Sequence, residues 1–572
     1  MKTDLILLHP PSIYDFREHS IMFGPVSDLV PSTPIFEMYP IGFPILAHYL
    51  EKHGYRVRII NLAIRMLKNP FFDVEKFISN LETKCFGIDL HWLPHAHGSI
   101  EIAKIVKKYH PETPVIFGGY SSTYFHEELI KYPPVDFIIK GDSAEEPLRM
   151  LVEAIVKGGN YHSIPNLTWK DKDGTVNSNN IDYVPSDLSH ISLDYSFMMR
   201  SVFKYKDLLS YVPFVNWLDY PIVAALSCRG CYGNCVTCGG SSFTFKELFN
   251  RPKPACRSPE MLAFDILKVQ EYIKGPIFIL GDILQHGVDY AGEMLEILKK
   301  NNLKNKLTFE LFKPPPYSFL KKLVDLKVEW SMEISVESHE EKLRKIFGKK
   351  SYSNHELKDF IKSALELGCE RFDLYFMTGI PFQTKDSILK TGEFCEEIYK
   401  EIDKKQKLLT FISPMAPFLD PGSRAYENPE KYGYKLSCNS LEDHRKALLK
   451  PSWKYIMNYE SDYLSRDEMV DGTYRAALGL NEIKAKYGVV DKKTAKKVEN
   501  RVLKAMEIMR RIDDVVKSES FTSEEERHVS LRREMTKYNM STVCEKKELE
   551  WKTSLFFKFR LHKIITMMLR GE

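Results

Sequence analysis

Four of the ten cysteines lie within eleven residues, from Cys228 to Cys238, and their spacing is typical of a metal-binding loop. Three of them, Cys231, Cys235 and Cys238, have the spacing C-x3-C-x2-C. Three thiolates from one loop can hold three corners of a cubic iron–sulfur cluster. The fourth iron then has no protein ligand, and an open metal position is where substrate chemistry occurs. The loop therefore predicts a catalytic iron–sulfur cluster.

The same loop contains two C-x2-C pairs, which can also bind zinc. Zinc sites usually separate such pairs by about a dozen residues or more, whereas here only residues 232–234 intervene. Four ligands so crowded would strain a tetrahedral shell. Zinc is therefore disfavoured, though it stays an alternative. Cys228 is either a bystander or a neighbour of the cluster that does not bind it.

Composition and charge exclude several classes of protein. The chain has 572 residues, 44% of them hydrophobic, and a net charge of +4. We expect no nucleic-acid partner, because nothing in this balance demands a polyanion. No apolar run reaches the roughly eighteen residues that span a bilayer, and the first one is too short for a signal peptide. The other cysteines are scattered and show no disulfide framework, so we expect a reducing, cytoplasmic location.

Residues 1–160 alternate between strand and helix patterns. Such alternation predicts a parallel, doubly wound α/β domain, in which ligands bind beyond the carboxyl ends of the strands. The predicted strands cover residues 5–8, 55–62, 85–90, 115–117 and 135–139, and the predicted helices cover residues 42–53, 71–81, 100–109 and 144–156.

The rest of the chain divides into three parts. Residues 161–220 predict a hairpin and an inter-domain linker. Residues 221–425 predict a partial (β/α)6 barrel of the TIM type, whose polar residues gather at the carboxyl ends of its strands. Residues 426–572 predict a helical C-terminal region, which we expect to cap the mouth of the barrel. The predicted barrel strands cover residues 222–226, 277–280, 307–312, 330–336, 372–377 and 409–412.

The order of these units resembles the radical S-adenosylmethionine (SAM) enzymes that carry an N-terminal cobalamin-binding domain. The cysteine loop after the first barrel strand is the strongest part of the resemblance, which covers about residues 1–425. It implies a flavodoxin-like, Rossmann-type cobalamin domain, and a 4Fe-4S cluster held by Cys231, Cys235 and Cys238. For SAM, it implies contacts from Gly281, Asp282, Glu333, Ser335, Glu337, Gly379 and Pro381. For cobalamin, it implies contacts from Pro10, Pro11, Gly118, Gly119, Ser121, Ser122, Thr123, Gly141, Asp142 and Glu145.

Two departures from the family pattern are visible. Some cobalamin domains supply a histidine to cobalt from an Asp-x-His-x-x-Gly loop after the first strand, and this chain has no such run there. Asp89-Leu90-His91 is similar but follows the third strand, so we name no histidine as a ligand, and the sequence is compatible with no protein ligand to cobalt. The residue before the third cysteine, commonly aromatic in the family, is Thr237.

The resemblance implies an enzyme that cleaves SAM to a 5′-deoxyadenosyl radical and methylates an unactivated carbon. One alternative keeps the radical but forms a ring, a carbon–carbon bond or a rearranged product. Another is a non-catalytic iron–sulfur or zinc protein. The expected partners are a small-molecule or lipid substrate and an external electron donor. The mixed apolar and basic segment 551–570 predicts packing on the protein itself, with peripheral membrane contact as the alternative.

Overall fold

We describe a computed structural model of the chain, which covers residues 2–25, 33–171, 173–349, 351–415, 418–517, 525–539, 542–550 and 558–570. Its first part is a sheet with the strands β1 Thr3–His9, β2 Val57–Asn61, β3 Thr83–Asp89, β4 Val115–Gly118, β5 Phe137–Ile139, β6 Leu167–Lys170 and β7 Val176–Ser178. The helices of this part are α1 Gly42–Lys52, α2 Leu62–Lys68, α3 Val74–Ser79, α4 Ala96–Tyr109, α5 Tyr120–Tyr124, α6 His126–Leu129 and α7 Glu145–Lys157.

Within the described residues the first sheet has the order β2-β1-β3-β4-β5-β6-β7. Strands β1 to β5 are parallel, in the flavodoxin-like order, which confirms the predicted doubly wound fold. The predicted hairpin also forms, and its strands β6 and β7 extend this sheet antiparallel beyond β5.

The helices between β2 and β3 differ from the single predicted helix over 71–81. Asn61 ends β2 and accepts a hydrogen bond from the Ile64 amide, so that α2 begins at once. Asp73 accepts one from the Lys76 amide and starts α3. Side-chain capping by Asn and Asp satisfies amides that a helix leaves open. The helix predicted over 71–81 is therefore the shorter α3, and α2 is an additional helix that the periodicity did not predict.

The second part is a six-stranded sheet within the described residues, with the order β15-β14-β13-β12-β11-β8. All of its neighbouring strands are parallel, which confirms the predicted partial barrel. Its strands and an adjoining two-stranded ribbon are β8 Val223–Leu226, β9 Cys228–Arg229, β10 Ala255–Cys256, β11 Ile277–Leu280, β12 Leu307–Leu311, β13 Trp330–Glu337, β14 Phe372–Thr378 and β15 Leu408–Pro414. The helices of this part are α8 Tyr195–Tyr205, α9 Ser242–Phe249, α10 Pro259–Tyr272, α11 Val288–Lys300, α12 Tyr317–Asp325, α13 Glu341–Phe347, α14 Asn354–Glu366 and α15 Lys385–Glu401.

The C-terminal region is mostly helical, as predicted, and adds a short ribbon of β16 Tyr434–Leu436 and β17 Tyr459–Ser461. Its helices are α16 Arg424–Glu427, α17 Leu441–Ala447, α18 Trp453–Ile456, α19 Arg466–Lys486, α20 Lys492–Lys517, α21 Glu525–Tyr538, α22 Lys546–Leu549 and α23 Leu561–Arg570. Only part of this region caps the barrel mouth. Trp453 borders the central cavity, whereas residues at the start of α20 and in α22 lie with Lys306 and Glu329 at the amino ends of the strands.

The predicted segment 551–570 is described only from residue 558. There the Lys274 amide donates a hydrogen bond to the Lys558 carbonyl, and the Arg560 amide donates one to the Tyr272 carbonyl. The Phe559 ring lies 5.8 Å from the Trp217 ring. Residues 558–560 thus pack on the second part of the chain. No helix among the described residues is long and apolar enough to cross a membrane.

Candidate functional site

The cysteine loop leaves the carboxyl end of β8 and is shaped by its own backbone. The Gly233 amide donates to Cys231 Sγ at 3.1 Å, and the Gly240 amide donates to Cys238 Sγ at 3.2 Å. Amide hydrogen bonds to sulfur favour a thiolate and tune an iron–sulfur cluster. The sulfur atoms of two of the three predicted ligands therefore already accept amide hydrogen bonds. This arrangement fits a cluster better than a structural pair of thiols.

Neighbouring segments fix the position of this loop. The Val236 amide donates to the Phe347 carbonyl, and the Ala425 amide donates to the Val236 carbonyl. Gly348 has a φ of +89°, and a Cβ there would lie 2.4 Å from the Asn234 carbonyl oxygen. Only glycine permits this close approach. The loop that follows α13 is thereby pressed against the cysteine loop.

The half-buried Cys235 thiol stays protonated until a metal arrives. Burial raises the pKa of Cys235 to about 11, with Lys349 acting in the opposite direction. Because a thiolate is the form that binds metal, cluster assembly must displace this proton.

Cys228 belongs to the ribbon beside the loop. It pairs with Cys256 across β9 and β10, and its Sγ accepts a hydrogen bond from Gln285 Nε2 at 3.2 Å. Gln285 also accepts a hydrogen bond from the Tyr232 amide. Burial raises the pKa of Cys228 to about 12. The structure therefore gives Cys228 hydrogen-bond partners within the chain.

Two cavities lie near the carboxyl ends of the strands, and the smaller one borders the loop. The smaller, of about 270 Å³, brings Cys231 together with Gly281 and Phe312. The larger, of about 430 Å³, lies between the carboxyl edges of the two sheets. Residues of the first part that line it include Ser12, His91, Trp92 and His95, and residues of the second part that line it include Glu310, Glu333, Ser335, Tyr375 and Met377.

The predicted SAM contacts are divided among these places. Gly281 borders the smaller cavity, and Glu333 and Ser335 border the larger one. The Asp282 side chain is buried and accepts hydrogen bonds from the Leu284 and Phe312 amides, at 2.8 and 3.0 Å.

The regular alternation of side chains along β13 is interrupted at Glu337. The register shifts between Ser335 and Glu337, and Glu337 has a φ of +62°. Its carboxylate accepts a hydrogen bond from Lys349 Nζ at 2.9 Å, and both side chains are buried. Burial raises the pKa of Glu337, although Lys349 opposes that shift. Glu337 therefore forms a buried salt bridge inside the chain.

Gly379 and Pro381 lie in the turn after β14, outside the lining of both cavities. Gly379 has a φ of +89°, and a Cβ there would lie 2.7 Å from the Tyr459 hydroxyl. Its carbonyl accepts a hydrogen bond from the Tyr434 hydroxyl. The C-terminal region therefore packs directly on this turn.

The predicted cobalamin contacts lie at the carboxyl edge of the first sheet, and many are engaged in its own loops. The Ser122 hydroxyl donates to the Gly118 carbonyl, and the Thr123 hydroxyl donates to the Gly119 carbonyl. The Gly141 amide donates to the Thr123 hydroxyl. Ser121 Oγ is buried without a hydrogen-bond partner among the described residues. Pro10 and Pro11 are buried after β1, and a Cβ on Gly98 would overlap the Pro11 carbonyl.

Asp142 and Glu145 connect the first part of the chain to the second. Arg251 forms an ion pair with Asp142. Arg229, which lies between Cys228 and Cys231, forms one with Glu145. Burial opposes ionisation of Glu145, but Arg229 outweighs it and lowers the pKa of Glu145. These acids hold the cysteine loop against the first sheet.

Sequence reasoning missed several groups at this junction. Asp420 accepts a hydrogen bond from the Gly239 amide at 2.9 Å and one from Trp92 Nε1 at 3.2 Å. Arg229 could have been noticed because it lies inside the cysteine motif. Asp420 had no such signal, since its partners lie roughly 180 and 330 residues away.

A cluster of histidines beside the larger cavity was also not assigned. His9 and His91 both hydrogen bond to the Asp89 carboxylate. Burial opposes ionisation of Asp89, but His9 and His91 outweigh it and hold its pKa well below the ordinary value. Burial, with His91 and His9, lowers the pKa of His95 well below 6.5, so its ring is neutral.

Comparisons with known proteins agree with this architecture. Residues 30–151 match the model of the B12 binding domain, and residues 226–395 match that of the Radical SAM superfamily. The chain therefore carries a B12-binding domain followed by a radical SAM domain, which confirms the predicted resemblance to radical SAM enzymes that bind cobalamin.

Particular relatives share this organisation. Cytidylyl-2-hydroxyethylphosphonate methyltransferase of Streptomyces wedmorensis is 21% identical over 410 residues, which cover 64% of this chain and 72% of the relative. The structure of the radical SAM methyltransferase TsrM from Kitasatospora setae, with cobalamin and a 4Fe-4S cluster bound, matches with a TM-score of 0.58 and 13% identity, over 88% of this chain and 99% of TsrM. The cobalamin-dependent radical SAM enzyme OxsB, with aqua-cobalamin bound, matches with a TM-score of 0.53 and 13% identity, over 99% of this chain and 80% of OxsB. At these identities the two structures show a shared fold.

Proposed function

We propose that the protein is a cobalamin-dependent radical SAM enzyme that transfers a methyl group to an unactivated carbon of a small molecule. One observation carries the proposal. A cysteine loop with amide-supported thiols and the carboxyl edge of a B12-binding domain lie on the two sides of one junction.

The chain's own residues fit the three cofactors. Cys231, Cys235 and Cys238 would hold the cluster, since three thiols are its ordinary donor set. Gly281 beside Cys231, with Glu333 and Ser335 in the adjoining cavity, would bind SAM. The loops that contain Pro10, Pro11, Gly118, Gly119, Ser121, Ser122, Thr123 and Gly141 would border the corrinoid. When bound, these cofactors supply radical formation and a methyl donor.

The protein itself must exclude water from the larger cavity. Trp92 and Phe36 pack edge to face at the rim of the larger cavity, with their ring centroids 4.9 Å apart. Trp453 and Met415 border the same space. An apolar wall protects a radical from side reactions and favours a substrate with an apolar carbon centre.

The nature of the substrate follows from the cavity and the relatives. TsrM has been solved with tryptophan substrate and a SAM analogue, and the larger cavity here, with its aromatic and acidic lining, suits a small molecule of mixed polarity. A lipid substrate would gain support if residues 551–570 bound membranes. We further propose an external electron donor, because the proposed radical step begins with a reduced cluster. We also propose a cytoplasmic location, because all ten cysteines are free.

The test is anaerobic reconstitution followed by incubation with cobalamin and SAM labelled in its methyl carbon. We expect a brown protein with about four irons and four sulfides per chain, and cobalamin that remains bound after gel filtration. Extracts of the source cell treated with the enzyme should contain a labelled product heavier by one methylene unit, and the Cys235→Ala variant should give none.

The alternatives give different results. Formation of 5′-deoxyadenosine without label in any product would replace methyl transfer by cyclisation or rearrangement. A colourless protein with one zinc, and no iron or sulfide after reconstitution, would contradict an enzymatic role and support a binding protein.

A further inference from the structure

Three histidines and one aspartate meet at the carboxyl edge of the first sheet, beside the larger cavity. His9 ends β1 and Asp89 ends β3, while His91 and His95 follow β3. His9 Nδ1 lies 3.0 Å from Asp89 Oδ1, and His91 Nδ1 lies 2.6 Å from Asp89 Oδ2. The His95 ring centroid is 4.7 Å from that of His91 and 5.0 Å from that of His9.

The partners of these rings are hydrogen-bond acceptors. His9 Nε2 faces the Phe36 carbonyl at 3.2 Å, and His9 Nδ1 faces the Asp89 carboxylate. Both nitrogens of His9 are therefore engaged by groups that only accept hydrogen bonds. His91 Nδ1 faces the same carboxylate, so Nε2 is the nitrogen of the His91 ring that Asp89 does not engage.

Nε2 of His91, rather than the centre of the cluster, is the position at which a metal could bind. The distances between His9, Asp89 and His91 are those of hydrogen bonds, and an ion among them would need ligand distances of about 2.0–2.2 Å. His91 lines the larger cavity with 27% of its side chain exposed. His95 also borders the cavity but is fully buried, and neither of its ring nitrogens makes a well-formed hydrogen bond with the described residues.

The backbone around His91 is tightly seated. Gly119 has a φ of +116°, and a Cβ there would lie 2.4 Å from His91 Cα. The Leu90 amide donates to the Gly118 carbonyl, and the Ser122 amide donates to the Leu90 carbonyl. The glycines predicted to approach the corrinoid thus also hold the His91 backbone in place.

We infer that Nε2 of His91 is a ligand to the cobalt of the bound cobalamin, with the Asp89 carboxylate orienting the ring from behind. A carboxylate that accepts from the other nitrogen of a metal-bound histidine fixes its tautomer and makes it a better ligand. The inference rests on the cobalamin binding of the proposed function. It departs from the sequence analysis, which considered His91 but named no histidine as a ligand.

The experiment is electron paramagnetic resonance of the full chain loaded with cobalamin and reduced to Co(II), while the cluster stays oxidised and silent. One axial ¹⁴N ligand splits the cobalt lines into triplets. The same spectrum is recorded on protein grown with [¹⁵N]histidine. We expect the triplets to become doublets, because ¹⁵N has nuclear spin one half. This comparison needs no substitution, so it does not depend on a variant that folds.

Variants then identify the residue. His91→Ala should lose the nitrogen splitting, and His97→Ala should keep it, because His97 accepts a hydrogen bond from the Tyr14 amide and does not line the cavity. Asp89→Asn should weaken cobalamin retention by about 10–100-fold.

Other results would overturn the inference. Triplets that persist with [¹⁵N]histidine would assign the nitrogen to the cofactor's own base. Bound cobalamin without any nitrogen splitting would exclude a histidine ligand, and splitting lost only in His95→Ala would assign the ligand to His95. Each of these leaves the proposed function intact. Failure to retain cobalamin at all would instead contradict both.

Discussion

The two carboxyl edges that meet at the larger cavity supply different groups in different ways. The second sheet presents Cys231, Cys235 and Cys238 from one short loop, whose own amides reach two of the sulfurs. The first sheet presents His9 and His91, which share Asp89 although His9 lies 80 residues from it. One edge carries a local motif, and the other carries a site assembled by strand pairing.

The two edges should therefore respond differently to substitutions. The cysteine loop keeps its ligand spacing wherever the chain folds locally, but its placement depends on Arg229, Asp420 and the glycine at 348. The histidine cluster exists only when β1 and β3 are paired in register. We therefore expect substitutions in the loop to abolish chemistry, and substitutions at the contacts between the edges to weaken it.

The largest effect should come from the three ligand cysteines. Cys231→Ala, Cys235→Ala and Cys238→Ala should each lose the complete cluster and SAM cleavage, because an iron–sulfur cluster needs each of these thiolates. Iron, sulfide and 5′-deoxyadenosine after anaerobic reconstitution measure this loss. Cys228→Ala is the matched control and should retain the cluster, since Cys228 Sγ accepts a hydrogen bond from Gln285. Full activity in all four variants would sink the proposed site.

The second-largest effect should come from the buried ion pair of Lys349 and Glu337. Lys349→Met leaves Glu337 buried without its cation, which should lower the free energy of unfolding by about 3–5 kcal/mol. Lys349 also acts on the Cys235 thiol, so loss of its positive charge should make the cluster potential more negative. Chemical denaturation and a redox titration measure the two effects.

The double variant Lys349→Met/Glu337→Gln tests the pairing itself. It should recover most of the lost stability and much of the shift in potential, because it also removes the negative charge of Glu337, which acts on Cys235 against Lys349. An unchanged potential in Lys349→Met would show that this pair does not influence the cluster.

A pH effect should follow from His444, which packs the C-terminal region on the first part of the chain. Its ring is fully buried and lies 5.8 Å from that of Phe125. Burial lowers the pKa of His444 from 6.5 to about 4. The fold favours the neutral ring. The contribution of His444 to the free energy of unfolding is therefore complete above pH 6.5, and it declines as the pH falls from 6.5 towards 4. This loss should amount to about 3 kcal/mol.

Denaturation midpoints measured between pH 7 and 4 test this assignment. The free energy of unfolding of His444→Gln should fall less steeply with decreasing pH than that of the wild type. The reason is that this variant takes up as much as one proton fewer on unfolding. His355→Gln, at an exposed histidine, is the control and should follow the wild type. An equal slope in His444→Gln and wild type would contradict the assignment.

The smallest effect should come from the contact between the edges. Asp420→Ala removes the acceptor of the Gly239 amide and of Trp92 Nε1. Buried donors left without partners cost about 1–3 kcal/mol, so the cluster should assemble more slowly and to a lower iron content. Glu460→Ala, at an acid whose side chain is 47% exposed, should leave iron content unchanged. Iron content equal to wild type in Asp420→Ala would show that the loop does not need this contact.

The sequence by itself predicted the three cluster ligands, and it determined the order of the parallel strands along the chain and the helical end, because each depends on spacing within a few residues. The irregular step of β13 at Glu337 could not be read from the sequence. Contacts over longer separations were decided only by the tertiary structure. Asp142 and Glu145 face arginines of the second part, and Asp89 is shared by His9 and His91. Strand pairing and domain packing bring such residues together, and no local pattern records which partners will meet.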